Sequence, residues 1–336
     1  MKKHIIIFII SLVGLSSCIE EPVPYSNSTK GNFDALWHII DTRYCFLDYK
    51  NINWDSIYNE YHSRLNTVSN KFELFDLCKE MLNELKDGHV NLSSDFDVSS
   101  NRRIFSDSIK NFYSDIIFSD NYLGEDFRSI GGLRYRKINN GKIGYVYYSS
   151  FSNTFGDQHI RNIFNLFSDC DGLIIDVRNN GGGLLTNSEK LASYFFDREM
   201  VTGYIIHKIG NGHSDFSRPT EIKTPAHNTI YWEKPVAVLT NRGCYSATND
   251  FVNRMKLAPN AFSVGSWTGG GSGLPFSSEL PIGWSIRFSA SPMLDFNMNH
   301  TEFGIAPDYY IAITDSDKDN DIDTVIEKAI ELITGM

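Results

Sequence analysis

Three short stretches of this 336-residue chain hold residues whose types and spacing could do chemistry. The first is PVAVLTNRGCYSATNDFVNRM, residues 235–255. Here an apolar run, Val236–Leu239, passes through the polar turn Thr240-Asn241-Arg242-Gly243 to Ser246. Ala247, Phe251, Val252 and Met255 then follow at helical spacing. A strand, a tight turn and a helix opening at a serine present a hydroxyl. The helix start adds free N–H groups and partial positive charge where an oxyanion would form. A helix N-cap is the plain structural alternative for the same serine. The second stretch is Lys86-Asp87-Gly88-His89, where an apolar helical stripe ends and a short alternating strand begins with Val90 and Leu92. His89 could serve as a base near neutral pH or lie idle at a surface junction. The third is Arg178-Asn179-Asn180-Gly181-Gly182-Gly183, directly after the apolar run GLIIDV. It matches neither GxGxxG nor GxxxxGK[ST], so a nucleotide site is not indicated. Consecutive glycines let backbone N–H groups face a cleft that holds an oxyanion, a peptide or a phosphate, or simply make a tight turn.

These stretches need elements to hold them. Gly172–Val177 lacks alternation and reads as a strand covered on both faces. Lys142–Ser149 is a further strand, Phe155–Phe167 a helix, and about Asn187 to Phe196 another helix. Gly203–Lys208 and Phe262–Gly265 read as strands. Phe276–Phe296 reads as a hairpin turning at Pro281-Ile282-Gly283. A C-terminal helix is expected at about Asp321–Leu332. Upstream, three apolar stripes within residues 31–87 predict a small helical bundle, with Gly88 as the C′ residue of its last helix. Residues 93–140 are mixed and polar, with no organisation legible in them.

Composition narrows the class. A net charge of −10 and the absence of any basic run argue against nucleic acid as a partner. Lys2 and Lys3, the apolar run Ile5–Leu15, and Leu15-Ser16-Ser17-Cys18 form a targeting segment too short to span a membrane. The pattern resembles a bacterial lipoprotein signal, with Cys18 as the lipidated first residue of the mature chain. An ordinary cleaved signal peptide is the alternative. The other cysteines, Cys45, Cys78, Cys170 and Cys244, are widely spaced, show no CxxC and do not suggest zinc. The alternating acidic run Asp315–Asp323 starts like a calcium loop. It carries Asn320 at the glycine position and Ile326 where glutamate is required, so acidic helix-start chemistry explains it. No metal or cofactor is expected.

Four segments, in order, resemble the C-terminal-processing (tail-specific) serine peptidases and the related tricorn-core peptidases. They are Leu85-Lys86-Asp87-Gly88-His89-Val90, Asp176–Gly183, Leu239-Thr240-Asn241 with Tyr245-Ser246-Ala247, and Gly304-Ile305-Ala306-Pro307-Asp308. The resemblance extends over about residues 31–336. It implies an α/β, crotonase-like (ClpP-like) core of spiralled β-sheet with helices, preceded by a small N-terminal helical bundle. It also implies Ser246 as nucleophile. In one branch of the family a lysine in a glycine-rich loop is the base, but the matching loop here, Thr268–Ser272, contains none. In the tricorn-like branch a histidine at the position of His89 is the base. Glu302, close before Gly304, is the candidate to orient it. The implied oxyanion hole is the Ala247 N–H with a glycine N–H of the 181–183 turn, taken as Gly182. Asp176 and Arg178 would shape that turn.

The expected layout is a signal peptide at 1–17, a flexible tether at 18–30, a helical subdomain at 31–92 and a peptidase core at 93–336 without a full PDZ domain. The leading expectation is a cell-envelope serine endopeptidase acting on peptides or proteins and tied to the outer membrane by an N-terminal lipid. A non-catalytic binding protein on the same fold and an esterase-type hydrolase are the alternatives.

Overall fold

In the computed structural model, which describes residues 25–101 and 111–335, the two apolar runs before the candidate turns become adjacent parallel strands. These are β5 (Gly172–Asp176) and β8 (Val236–Thr240), and every residue of both is buried. They sit mid-way in a seven-stranded sheet. On one side lie β4 (Ile143–Tyr148), β3 (Leu133–Ile138) and β2 (Arg128–Ile130). On the other lie β9 (Ala261–Gly265) and β12 (Tyr309–Tyr310). From β4 to β12 the strands run parallel, while β2 and β3 add an antiparallel edge. Alternate side chains feed two apolar layers. Leu173, Ile175, Val236 and Val238 pack toward α5 (Asp157–Leu166), α6 (Leu185–Ser193) and α7 (Ala247–Met255). Ile174, Ala237 and Leu239 pack toward α9 (Thr324–Thr334) and the short α4 (Ser114–Ile117). Covering both faces is what removes polar alternation from these strands.

The expected helices near the N-terminus are present as α1 (Thr29–Arg43), α2 (Trp54–His62) and α3 (Lys71–Asn83). Each opens on a polar side chain that accepts from first-turn N–H groups: Ser28, Asn53 and Asn70. Their apolar core is not closed by helices alone. Leu280, Trp284, Ile286 and Phe288, from a hairpin some 200 residues downstream, complete it with Leu92. That hairpin, β10 (Gly273–Glu279) and β11 (Ser285–Leu294), belongs to a second sheet with β1 (Asn91–Ser93), β6 (Met200–Ile205) and β7 (Thr220–Thr224). The helical part and the core therefore share one strand system across the expected boundary at residue 92.

Several expectations shift. The hairpin β2–β3 lies in the stretch where no organisation was legible, turning at Gly131 and Gly132, both at positive φ. A two-glycine turn between alternating runs is a hairpin signature. The left-handed residue after α3 is Lys86 (φ +47°), not Gly88, because the helix already ends at Asn83. The strand expected at Gly203–Lys208 is set earlier, at 200–205, by pairing with β7. In the acidic run, Asp315–Asp319 forms α8 and Asp323 caps α9, accepting from the Val325 and Ile326 N–H groups. Cys45, Cys78, Cys170 and Cys244 are buried free thiols. Cys18 and the segment before it lie outside the described residues.

Candidate active site

The carboxyl ends of two adjacent parallel strands leave their following turns side by side. After β8 the chain turns through Asn241–Cys244, and after β5 through Val177–Gly183. Asn241 ties them together: its Oδ1 accepts from the Asn179 N–H at 2.9 Å, and its Nδ2 donates to Asn179 Oδ1 at 2.8 Å. The Tyr245 N–H adds a bond to the Asn180 carbonyl at 3.1 Å. Beneath the glycine turn, Arg178 is fully buried. Its guanidinium donates to Asp176 at 2.6 Å and pairs with Asp323 at 2.9 Å, and Tyr145 donates to Asp176 at 2.7 Å. Asp323 is thus part of the turn's support, a role that its place in an acidic run does not reveal.

Ser246 stands at the N-cap position of α7 but caps nothing with its side chain. Its backbone lies at φ +58°, ψ −121°, a conformation that is strained for a residue with a Cβ. The strain is held by the Ser246 N–H bonding to the Gly270 carbonyl at 2.9 Å and by the Asp250 N–H bonding back to the Ser246 carbonyl at 3.0 Å. The hydroxyl is turned toward His89, with Oγ 3.0 Å from Nε2, across 157 residues of sequence.

His89 is 4% exposed, and its ring packs on Tyr245 with centroids 4.9 Å apart. Asp87 Oδ1 accepts the His89 backbone N–H at 2.8 Å. Nδ1 is buried and has no well-formed hydrogen bond among the described residues, the Gly273 backbone being its near neighbour. Burial holds the imidazole pKa down to about 4; the nearby Arg287 and Lys50 charges add to this, while Asp87 and the Gly273 carbonyl oppose it. The ring is therefore neutral at pH 7, with a lone pair available at one nitrogen.

Glu302 does not reach His89. Its Oε1 meets Lys50 Nζ at 2.8 Å, and its Oε2 accepts the Ser272 N–H at 2.9 Å. Both of its oxygens are occupied, so its direct contacts are to the glycine-rich loop at 268–272 and to the helical part of the chain. Lys50, from the segment after α1, also lies 3.6 Å from Asp87 Oδ2, which accepts from Tyr44 and Ser289 at 2.9 Å each. Burial and the Asp87 charge push the Glu302 carboxyl up to about 7, with Lys50 working the other way. Burial would raise Asp87 too, but Lys50 and the groups of His89 hold it below the usual carboxylate value. Lys50 is a buried participant that sequence reasoning missed. A single lysine on a connecting segment carries no signal of burial.

The two expected oxyanion donors differ. The Ala247 N–H, at the start of α7, has no hydrogen bond among the described residues. The Gly182 N–H is taken by Asn180 Oδ1 at 3.0 Å, which corrects its expected role as a free donor. What Gly182 supplies is proximity. It sits at φ +100°, and a Cβ there would lie 2.6 Å from the Tyr245 carbonyl oxygen and 2.9 Å from Ser246 Cβ. A cleft of about 270 Å³ opens beside Ser246 and His89, walled by Leu184, Leu185, Ile222, Met293 and Leu294 among others. The lysine nearest in sequence after Ser246, Lys256, stands at the opposite end of α7 and pairs with Asp308 at 2.6 Å.

A serine on a strained strand-to-helix turn, facing a buried neutral histidine, on a parallel sheet, is the arrangement of a serine-type hydrolase. Residues 142–311 match the model of Peptidase family S41, and residues 25–83 match the Tricorn protease C1 domain. The chain belongs to peptidase family S41, a serine peptidase family. It is 28% identical over 165 residues to the carboxy-terminal processing protease CtpB of Bacillus subtilis, covering 49% of this chain and 32% of that one. The chain thus spans about a third of the length of the curated relative it matches. It is 49% identical to a candidate peptidase from Parabacteroides merdae of known crystal structure, with a TM-score of 0.87 over 92% of this chain and 97% of that one. Mature CPAF shares the fold, with a TM-score of 0.69 at 13% identity, covering 91% of this chain and 98% of that one.

Proposed function

We propose that this protein is a serine endopeptidase of the cell envelope in which Ser246 is the nucleophile and His89 the general base. The observation that carries the reading is the 3.0 Å approach of His89 Nε2 to Ser246 Oγ. His89 Nε2 takes the hydroxyl proton as Oγ bonds to the peptide carbonyl carbon. The oxyanion of the tetrahedral intermediate settles against the Ala247 N–H at the start of α7. His89 returns the proton to the amide nitrogen, the C–N bond breaks and the amine leaves. Water, deprotonated in turn by His89, hydrolyses the acyl-enzyme and frees Ser246. Glu302 and Asp87, joined through Lys50, hold the base and the glycine-rich loop in place from behind. The segment ending at Cys18 supports lipid anchoring to the outer membrane, with residues 18–30 as tether, 31–92 as helical subdomain and 93–336 as peptidase core.

Reaction with a fluorophosphonate probe tests the chemistry. Wild-type protein should label at Ser246, Ser246→Ala should not label, and His89→Ala should label at least a hundredfold more slowly. Unchanged labelling in His89→Ala would remove it as the base. Turnover of a peptide and of the matching ester separates peptidase from esterase. Release of Cys18→Ser from the membrane fraction tests the anchor.

A further inference from the structure

The helical part of the chain carries an apolar patch that its own fold leaves open. Phe72, in the first turn of α3, is 54% exposed among the described residues, Phe96 37% and Val98 60%. Phe96 and Val98 belong to the turn after β1, where Val98 pairs back with Ser93. The Phe72 and Phe96 rings meet with centroids 4.6 Å apart, and Phe96 also packs on Phe75 at 5.3 Å and on Trp284 at 6.0 Å. The patch is thus the outer rim of the helical core, backed by buried aromatic rings. The charges around it cancel in pairs, Lys71 with Asp95 at 3.0 Å and Lys79 with Asp97 at 3.6 Å. The Lys71 ammonium also lies 5.5 Å from the Phe72 ring centre and 5.1 Å from that of Phe96. A lysine so placed can keep its charge at a polar boundary while its stem covers apolar surface.

The patch lies close to the point where the described chain begins. Trp284, which packs on Phe75 and Phe96, stands at the turn of the β10–β11 hairpin. At the same turn the Ile282 N–H donates to Asn32 Oδ1 at 2.8 Å, and Asn32 Nδ2 donates to Asn27 Oδ1 at 3.0 Å. One hairpin turn therefore joins the patch to the start of α1. From Tyr25 back to Cys18 is seven residue steps. A chain of that length reaches at most about 25 Å when fully extended. A lipid on Cys18 keeps the start of α1 within that reach of the bilayer. We propose that the Phe72–Phe96–Val98 patch seats on the phospholipid bilayer that holds the lipid, and so fixes how the domain is oriented on it. The inference rests on the lipid-anchor reading above. The tether holds the patch at high local concentration beside the bilayer, so a small apolar contact is enough. The flanking charges cancel, so the contact needs no anionic lipid. From the same turn β11 runs ten residues, to Met293 and Leu294 on the cleft wall. At the rise of an extended strand that is up to about 30 Å. The seated domain thus holds its cleft in the aqueous space, open to peptide segments clear of the headgroups.

The test uses the full lipid-bearing chain in phosphatidylcholine vesicles, with a fluorophore on one introduced cysteine. Cys45, Cys78, Cys170 and Cys244 are buried, so an exposed new thiol labels selectively. Val98→Cys places the probe on the patch. Glu233→Cys places it at an exposed site before β8, at the end of the sheet away from Ser246. Doxyl-labelled lipid should quench the probe at 98 at least about threefold more than the probe at 233, because a seated apolar face lies at the headgroup boundary. Adding phosphatidylglycerol should leave that ratio unchanged. Phe72→Asp with Phe96→Asp should bring the ratio to one while the protein stays on the vesicles and keeps its urea midpoint, and Phe72→Ser alone should lower it. Equal quenching at both sites in the otherwise unaltered chain overturns the seating and leaves the anchor standing. An emission shift at 98 that follows protein concentration instead of doxyl lipid gives the face to a second copy and also overturns it. A chain whose Cys18 carries no lipid by mass spectrometry overturns both the anchor and the seating.

Discussion

The Glu302 carboxylate meets the Lys50 ammonium at 2.8 Å behind the site, and the same ammonium lies 3.6 Å from Asp87. One buried cation thus serves two buried carboxylates, one from the segment that carries His89 and one from the segment that holds the glycine-rich loop. Removing the cation alone leaves acids without compensation in a water-poor interior. Lys50→Met is expected to lower unfolding free energy by about 3–5 kcal/mol. Adding Glu302→Gln should recover part of that loss, because the remaining side chain no longer carries a charge. Urea unfolding of the two variants measures this, and a double variant less stable than Lys50→Met would show that the pair is not coupled through charge.

In the proposed mechanism His89 must be unprotonated to accept the Ser246 proton. With its pKa held at about 4, chiefly by burial, the base stays available well below the pH at which a free imidazole is half-protonated. The kcat/KM for an uncharged peptide is therefore expected to change little between pH 7 and pH 5.5 and to decline only below that. An acid limb centred near 6.5 would mean that the ring is far less buried in solution. In Arg287→Gln the limb should move upward, since one of the charges that depress the pKa is gone.

Stability should depend on pH through two opposing groups. His89 binds its proton near 6.5 when unfolded and near 4 when folded, so the unfolded chain holds the extra proton between those values. That contribution is lost as pH falls from 6.5 toward 4. Glu302 runs the other way. Its ordinary value of 4.5 is raised to about 7, so the folded chain holds the extra proton and stability is lost as pH rises through that window. Between pH 4.5 and 6.5 the two oppose each other. Relative to wild type, Glu302→Gln should show unfolding free energy climbing with pH across this range, by at most about 1.4 kcal/mol per unit. His89→Gln should show it declining. Urea melts at three pH values suffice, and the same trend in both variants would refute the assignment.

Gly182→Ala should be damaging twice over. The position has φ +100°, and the added methyl would press on the Tyr245 carbonyl and the Ser246 side chain. A loss of about 1–3 kcal/mol in stability is expected from strain and contact together. Fluorophosphonate labelling should slow by about a hundredfold, because a displacement of about 1 Å at the nucleophile is enough for that. Gly181→Ala is the matched control, as a Cβ there meets nothing within 4 Å.

What could be read in the sequence was whatever is local. The strand run Val236–Leu239, the turn and the helical spacing after Ser246 lie within about twenty residues, and the structure places β8 and α7 on them. The same holds for Gly172–Val177 and the glycine turn. Their mutual approach was reachable only through resemblance, because Asn179 and Asn241 meet across the sheet. Lys50, Arg287 and Asp323 carried no periodicity and no motif, and each gains its place from packing between distant segments. Glu302 was singled out for its position before Gly304, but sequence could not show that Lys50 and Ser272 occupy its carboxylate. The hairpin at Arg128–Ile138 has a local signal in Gly131-Gly132, set within a stretch whose mixed, polar composition hides its strands.

The shared strand system described above has a consequence for the timing of synthesis. Leu280, Trp284, Ile286 and Phe288 close the apolar core of the three N-terminal helices, and Ser289 and Glu302 complete the polar cluster behind His89. A nascent chain that has reached Met255 already contains both Ser246 and His89 but lacks the strands that bring the helical part against the sheet. The strands that hold Ser246 and His89 at 3.0 Å are complete only when the last quarter of the polypeptide is available to fold, so assembly of this site is a late event in the making of the chain.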